Sequence, residues 1–242
     1  MKWQARVEGP DAVLRELAEA LEGRDPAISR VGASYVLTSK SFEDLSDSSA
    51  VGNVADRIVE ALSGTSRVLL QSTGRLQVAD VTQIRPNGSR SIFVQVASGE
   101  YRLSGGLVSM QIRRGDGTIE GRRASDPTSE WLRRALDGST AAKALRIRDS
   151  GDLDWSTLYR LYEVIEAGVG GGAALVARGW TTKRAINRFK HTANSVAAAG
   201  DSARHGVERT SPPSEPMPLS DARSLIDGLL AAWLGNGEQP GR

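Results

Sequence analysis

The sequence predicts an α+β protein, with an N-terminal antiparallel sheet carrying two packed helices and a C-terminal all-α helical bundle. Three observations point there. Apolar residues recur at period two through much of residues 1–124. An Asn-Gly turn separates two of those runs. From about residue 126 the apolar spacing changes to that of helices.

Residues 2–8 alternate as a strand does, with Trp3, Ala5 and Val7 apolar. Gly9-Pro10-Asp11 opens a helix whose apolar face is Val13, Leu14, Leu17, Ala18 and Leu21, with Gly23 as its stop. Residues 28–38 read as a second strand, with Val31, Ala33, Tyr35 and Leu37 at period two. A second helix is expected over 51–62, with Gly64 behind it. Strands are then expected at 68–71, 76–85, 91–97, 101–104, 107–113 and 118–122. Pro86-Asn87-Gly88-Ser89 is a hairpin turn, because Asn and Gly tolerate positive φ, and Gly115-Asp116-Gly117 is a second. An antiparallel sheet of five or six strands with two helices on one face follows.

Helices are expected at 127–136, 141–147 and 153–166, the last being the most regular. Gly168–Gly172 reads as a helix–helix connection, since it follows a helix and lacks the Gly-Lys-Ser/Thr ending of a phosphate loop. Thr182 caps the next helix, which runs to about Asn194. Residues 207–218 contain Pro212, Pro213, Pro216 and Pro218 and are extended or looped. Ser220 is expected to cap a last helix ending at Leu234, stopped by Gly235. Trp131, Trp155, Trp180 and Trp233 read as core anchors of the bundle. The organisation expected is a sheet module at 1–124, a helical connection at 125–152, a bundle at 153–235 and a frayed tail at 236–242.

With 39% hydrophobic and 25% charged residues the chain has enough apolar surface for a core. Cysteine is absent, which removes disulfides and thiolate metal sites and suits a reducing cytosol. No apolar run reaches the roughly 18–20 residues that span a bilayer, and the N-terminal residues have no signal-peptide apolar run, so a cytoplasmic location is expected. The excess of Arg over Lys, with abundant Ala and Gly, fits a GC-rich bacterial source.

The net charge of +2 argues for no partner, but its distribution does. Residues 1–66 carry 7 basic and 11 acidic side chains, whereas 178–209 carry 7 basic and 2 acidic. Both histidines, His191 and His205, lie in that basic stretch, and histidine titrates nearest neutrality. His191 and His205 are therefore the acid–base candidates. Lys183, Arg184, Arg188, Lys190 and Arg204 are the phosphate-binding candidates, and Asn187 and Asn194 could orient a backbone or a base. Cleavage of RNA without a metal needs a base for the 2′-hydroxyl and a cation for the phosphorane, and His with Arg supplies both.

Two stretches carry a family resemblance: Arg184-AINRFK-His191, and Asp201-Ser-Ala-Arg204-His205-Gly206 ahead of the last helix. With the helix order of about residues 130–235, they resemble the HEPN superfamily of small helical-bundle domains of bacterial toxin and phage-defence systems. Those domains carry a polar motif of an Arg and a His with four to six residues between them. The first stretch has the family's spacing, and the second its position. Ala185 stands where active members usually place a polar residue. The resemblance implies a metal-independent, RNA-directed module of a bacterial defence or stress system.

Other chemistries have weaker support. Asp201 and His205 stand four apart, and with His191 or Glu208 they would make a His/carboxylate set for zinc or manganese, which the surrounding arginines oppose. Asp201 could equally cap a short helix or pair with Arg204. Ser195 lies near His191 but has no nucleophile elbow. Aromatic residues make up only 5%, so stacking platforms for bases are scarce. No cofactor is implied. The rival reading is a non-enzymatic protein-interaction or oligomerisation protein, in which the segment from His191 to Arg209 is a structural loop network. The expected partners are RNA or, on the rival reading, a protein or a second copy of the chain, and no membrane. Glu43, Asp44 and Asp47 form an acidic loop in the first half.

Overall fold

A computed structural model describes residues 2–94, 127–151, 153–208 and 211–236. The chain is α+β and divides into two compact units, Met1–Leu136 and Asp137–Arg242. Among the described residues no helix is long and apolar enough to cross a membrane.

The first unit runs β1 (Lys2–Glu8), α1 (Asp11–Ala20), β2 (Ala27–Val31), β3 (Ser34–Thr38), α2 (Ser48–Leu69), β4 (Gln77–Ile84), β5 (Arg90–Val94) and α3 (Thr128–Asp137). The five strands lie in the order β2-β3-β1-β4-β5, each antiparallel to its neighbours. Trp3, Ala5 and Val7 are buried, as alternation requires when one face of a strand meets the core. Ala5 lies opposite Leu37 and Val81, and Val7 opposite Tyr35 and Val78. A bulge after Arg6 brings Val78 and Val81, three apart in sequence, opposite two residues of one face of β1. α1 packs on β2, α2 packs on β1 and β4, and the two helices touch, so they cover the same face. Asp47 starts α2 by accepting the Ala50 N–H at 2.8 Å, which gives one residue of the acidic loop a capping role.

Three expectations for this unit are corrected. Residues 28–38 are not one strand but a hairpin, β2 and β3, turned at Gly32 with φ +63. The two-residue turn reverses the parity of the pattern, so Ile28 shares the buried face of Tyr35 and Leu37 while Val31 is exposed, and the apparent alternation of Val31, Ala33, Tyr35 and Leu37 hid it. Nor does α2 end at Leu62. It continues through Gly64 to Leu69, so residues 68 and 69 are helical and no strand forms at 68–71. Ser63, Thr65 and Ser66 are fully buried, and Ser63 Oγ accepts the Leu76 N–H at 3.1 Å, so tertiary burial carries the helix past its glycine. Trp131 is buried in α3 of this unit and is not an anchor of the bundle. The strands expected at 101–104, 107–113 and 118–122, the turn at 115–117 and the end of 91–97 lie outside the described residues.

The second unit comprises α4 (Ser139–Asp149), α5 (Trp155–Val169), α6 (Gly172–Ala177), α7 (Lys183–Asn194), α8 (Val196–Ala199) and α9 (Leu219–Asn236). α5 is its hub and touches α4, α6, α7 and α9. Asp154 caps it through the Thr157 N–H at 2.7 Å, and Gly170, left-handed at φ +89, ends it. Gly168 lies inside α5, where any Cβ would overlap the Trp233 indole of α9, so the glycine sets how closely those two helices approach. Arg148 of α4 donates to both carboxylate oxygens of Asp227 in α9, at 2.7 and 3.0 Å. Trp155 and Trp233 are buried here, while Trp180 is only half-buried beside Arg178. α9 starts at Leu219, so Ser220 is not its cap but lies in its first turn, with its hydroxyl on Asp221.

Candidate functional site

The histidine-containing segment is organised by α7. Thr182 caps it, its Oγ1 accepting the Ala185 N–H at 3.1 Å. Ile186, Phe189 and Ala193, at i, i+3 and i+7, are buried. Phe189 sits among Tyr159, Tyr162 and Trp155, with ring centroids 5.9, 5.6 and 6.1 Å away. Burying that stripe turns Arg184, Asn187, Arg188 and His191, at i, i+3, i+4 and i+7, to one other face of the helix. Along this face runs a strap of residues 211–217. Together they enclose an open groove of about 570 Å³, lined by Lys183, Arg184, Asn187, Arg188, His191, Pro213, Ser214 and Glu215.

The strap is held by backbone contacts. Arg188 donates from Nε to the Glu215 carbonyl at 2.9 Å and from Nη2 to the Pro216 carbonyl at 3.0 Å. The Met217 N–H donates to Thr192 Oγ1 at 2.9 Å, and the Met217 side chain is buried. His191 Nε2 lies 2.7 Å from the Ser211 carbonyl, which can only accept, so Nε2 carries the proton. Three prolines, Pro212, Pro213 and Pro216, keep the strap extended and remove N–H groups that would otherwise need partners. Arg188, His191 and Thr192 thus hold the strap on α7.

Of the five phosphate-binding candidates, the groove receives Lys183, Arg184 and Arg188, and Asn187 lines it with them. Lys190 and Arg204 go elsewhere, and the cause is a repeated pair in α5. Tyr159 and Glu163 stand four apart, as do Tyr162 and Glu166. Arg204 donates to Glu163 Oε1 at 2.8 Å, and its guanidinium carbon lies 4.1 Å from the centre of the Tyr159 ring. Lys190 donates to Glu166 Oε1 at 3.1 Å and lies 4.7 Å from the centre of the Tyr162 ring. Each cation is therefore held by a carboxylate and an aromatic face at once. Tyr162 also donates to Glu166 at 2.8 Å, and burial first, then this carboxylate, pushes its phenol well above the ordinary range. Gly172 closes over the second pair, where a Cβ would sit 2.8 Å from Glu166 Oε1.

His205 does not line the groove. It is half-buried and makes no hydrogen bond among the described residues. Asn194 does not reach the groove either, and its Oδ1 is buried without a hydrogen-bond partner among the described residues. Glu208 accepts the Ala197 N–H at 2.7 Å and the Ser195 hydroxyl at 3.2 Å, which ties both to the start of α8. Asp201 lies within a single 3-10 turn, Gly200–Ser202, so it caps no helix, and Arg204 pairs with Glu163 instead of with it. That turn also prevents the helical spacing a site on Asp201 and His205 would need. Among the described residues no group of three His, Asp or Glu is placed to hold a metal. Arg209 lies outside the described residues.

The structure adds one groove residue that sequence reasoning did not select. Glu215 Oε2 lies 3.9 Å from Arg184 Nη2, and both side chains are largely solvent-exposed, at 73% and 89%. Its position two residues before the buried Met217 contact could not be read without knowing that the strap docks on α7.

No protein-family model, no curated protein and no solved structure matches the chain.

Proposed function

We propose that the second unit is a nucleic-acid-binding module that holds RNA phosphates in the groove between α7 and the strap, and that it binds without cleaving. One observation carries this reading. Lys183 and Arg184 occupy the first turn of α7, which has no acidic residue. The N-terminal end of a helix is the positive pole of its dipole, where stability favours Asp or Glu. Lys183 makes no hydrogen bond or ion pair among the described residues, and Arg184 has only the loose contact with Glu215. Two exposed cations at the positive pole of a helix cost stability, and an anionic ligand offsets that cost. The pole's own N–H groups then add to the attraction.

Asn187 extends the same stripe by one turn, which with Lys183 and Arg184 suits two or three successive phosphates. Among the described residues no Phe, Tyr or Trp lines the groove, which favours a module that reads the backbone and not the bases. Cleavage is set aside because His191, the histidine in the groove, is tied to the strap through Nε2 and His205 lies elsewhere. The reading keeps Arg184 of the HEPN-like stretch as a phosphate contact and gives His191 the strap. The interaction-protein reading retains support from the strap contacts of Arg188 and Thr192, which are structural in either case.

Equilibrium titration of a fluorescein-labelled single-stranded RNA tests this. Lys183→Ala and Arg184→Ala should each weaken binding about 3- to 10-fold at low salt, the loss of one phosphate contact. Lys190→Ala should leave it unchanged. Equal affinities for wild type, Lys183→Ala and Arg184→Ala would remove the groove from RNA binding.

A further inference from the structure

Among the described residues Glu215 is the one carboxylate lining a groove that otherwise presents Lys183, Arg184 and Arg188. Its backbone is fixed and its side chain is not. The Glu215 and Pro216 carbonyls accept from Arg188, and the next residue, Met217, is anchored on Thr192 and buried. Pro213 and Pro216 on either side restrict the chain further. The strap therefore delivers a carboxylate to Arg184, yet the pair is exposed and at the outer limit of ion-pair distance. Such pairs are weak and readily exchanged.

Resting on the phosphate-binding reading above, we propose that Glu215 is the specificity-determining residue of the groove: an internal carboxylate that takes the anion position at Arg184 and reserves the groove for ligands carrying several phosphates. A ligand with one phosphate replaces one anion at Arg184 by another and meets the displaced carboxylate's repulsion, so it gains little. A polynucleotide also engages Lys183, which has no partner among the described residues, and extends along Asn187. The internal anion thus discriminates by the number of phosphates, as a repulsive element does in specific recognition.

The test uses the full chain and two probes, a labelled single-stranded RNA 12-mer and inorganic phosphate as its competitor, with wild type, Glu215→Gln, Lys183→Ala and Asp44→Asn. Glu215→Gln keeps the backbone contacts of the strap and removes only charge. Asp44→Asn makes the same change of net charge at an exposed site in the first unit. Glu215→Gln should tighten RNA about 3-fold and phosphate about 10-fold at low salt, so that the preference for RNA narrows, while Asp44→Asn tracks wild type. An unchanged preference in Glu215→Gln, with Lys183→Ala still weakening RNA binding, would overturn the role of Glu215 and leave the RNA reading standing. Asp44→Asn matching Glu215→Gln would overturn it as an effect of bulk charge. Failure of every form to bind RNA would overturn both.

Discussion

Phe189→Ala is expected to lower the unfolding free energy of the Asp137–Arg242 unit by about 3–5 kcal/mol, the usual cost of deleting a buried aromatic ring. Phe189 is fully buried, and its ring lies within about 6 Å of three others, centroid to centroid. Tyr159, Tyr162 and Trp155 all come from α5, so this one side chain holds α7 against the hub of the unit. Its neighbours cannot collapse into the space, because Tyr159 and Tyr162 are each engaged by a cation on one face. The groove depends on the same contact. Turning Phe189 inward is what points Arg184, Asn187 and His191 outward, so RNA binding should weaken together with stability. Urea denaturation followed by tryptophan fluorescence measures the first effect, since Trp155 and Trp233 are buried in this unit. A loss below about 1 kcal/mol would mean that α7 is not held by the aromatic cluster.

Reversing both charges at the start of α7, Lys183→Glu with Arg184→Glu, has the opposite profile. RNA affinity should fall by about 100-fold or more at low salt, because two attractions become two repulsions. Stability should not fall. Both side chains are exposed, and acidic residues in the first turn of a helix are favoured by about 0.3–1 kcal/mol each. The denaturation midpoint is therefore expected to stay or to rise. A stable, folded variant that has lost RNA is the result a binding site predicts. A variant that loses both would assign Lys183 and Arg184 to the architecture instead.

How much of this was legible depends on which interactions were local. Period two in residues 2–8 and 76–85, the Asn-Gly turn and the Thr182 cap are local signals, and the elements formed where they point. The hairpin at Gly32 was missed because Val31, Ala33, Tyr35 and Leu37 imitate one alternating strand, although the turn reverses which parity faces the core. Ile28, buried opposite Leu37, and Val36, also buried, were the apolar residues that broke the alternation. The extension of α2 was decided by burial of Ser63, Thr65 and Ser66 under the sheet, which no propensity encodes. At the site, the i, i+3, i+4, i+7 stripe from Arg184 to His191 could be read directly. The diversion of Lys190 and Arg204 had a sequence signal in the paired Tyr159/Glu163 and Tyr162/Glu166 of α5, each a ready acceptor for a cation. The arrival of Glu215 had none, since it depends on how a proline-rich strap docks.

The central claim is that this groove binds RNA through phosphates. The salt dependence of RNA affinity tests it most directly, measured for wild type and for the Lys183→Glu, Arg184→Glu variant. Two or three phosphate contacts to a single strand predict a slope of log K against log salt of about −1.4 to −2 for wild type, and near zero for the variant. A wild-type slope near zero, or the same slope in both proteins, would contradict the account.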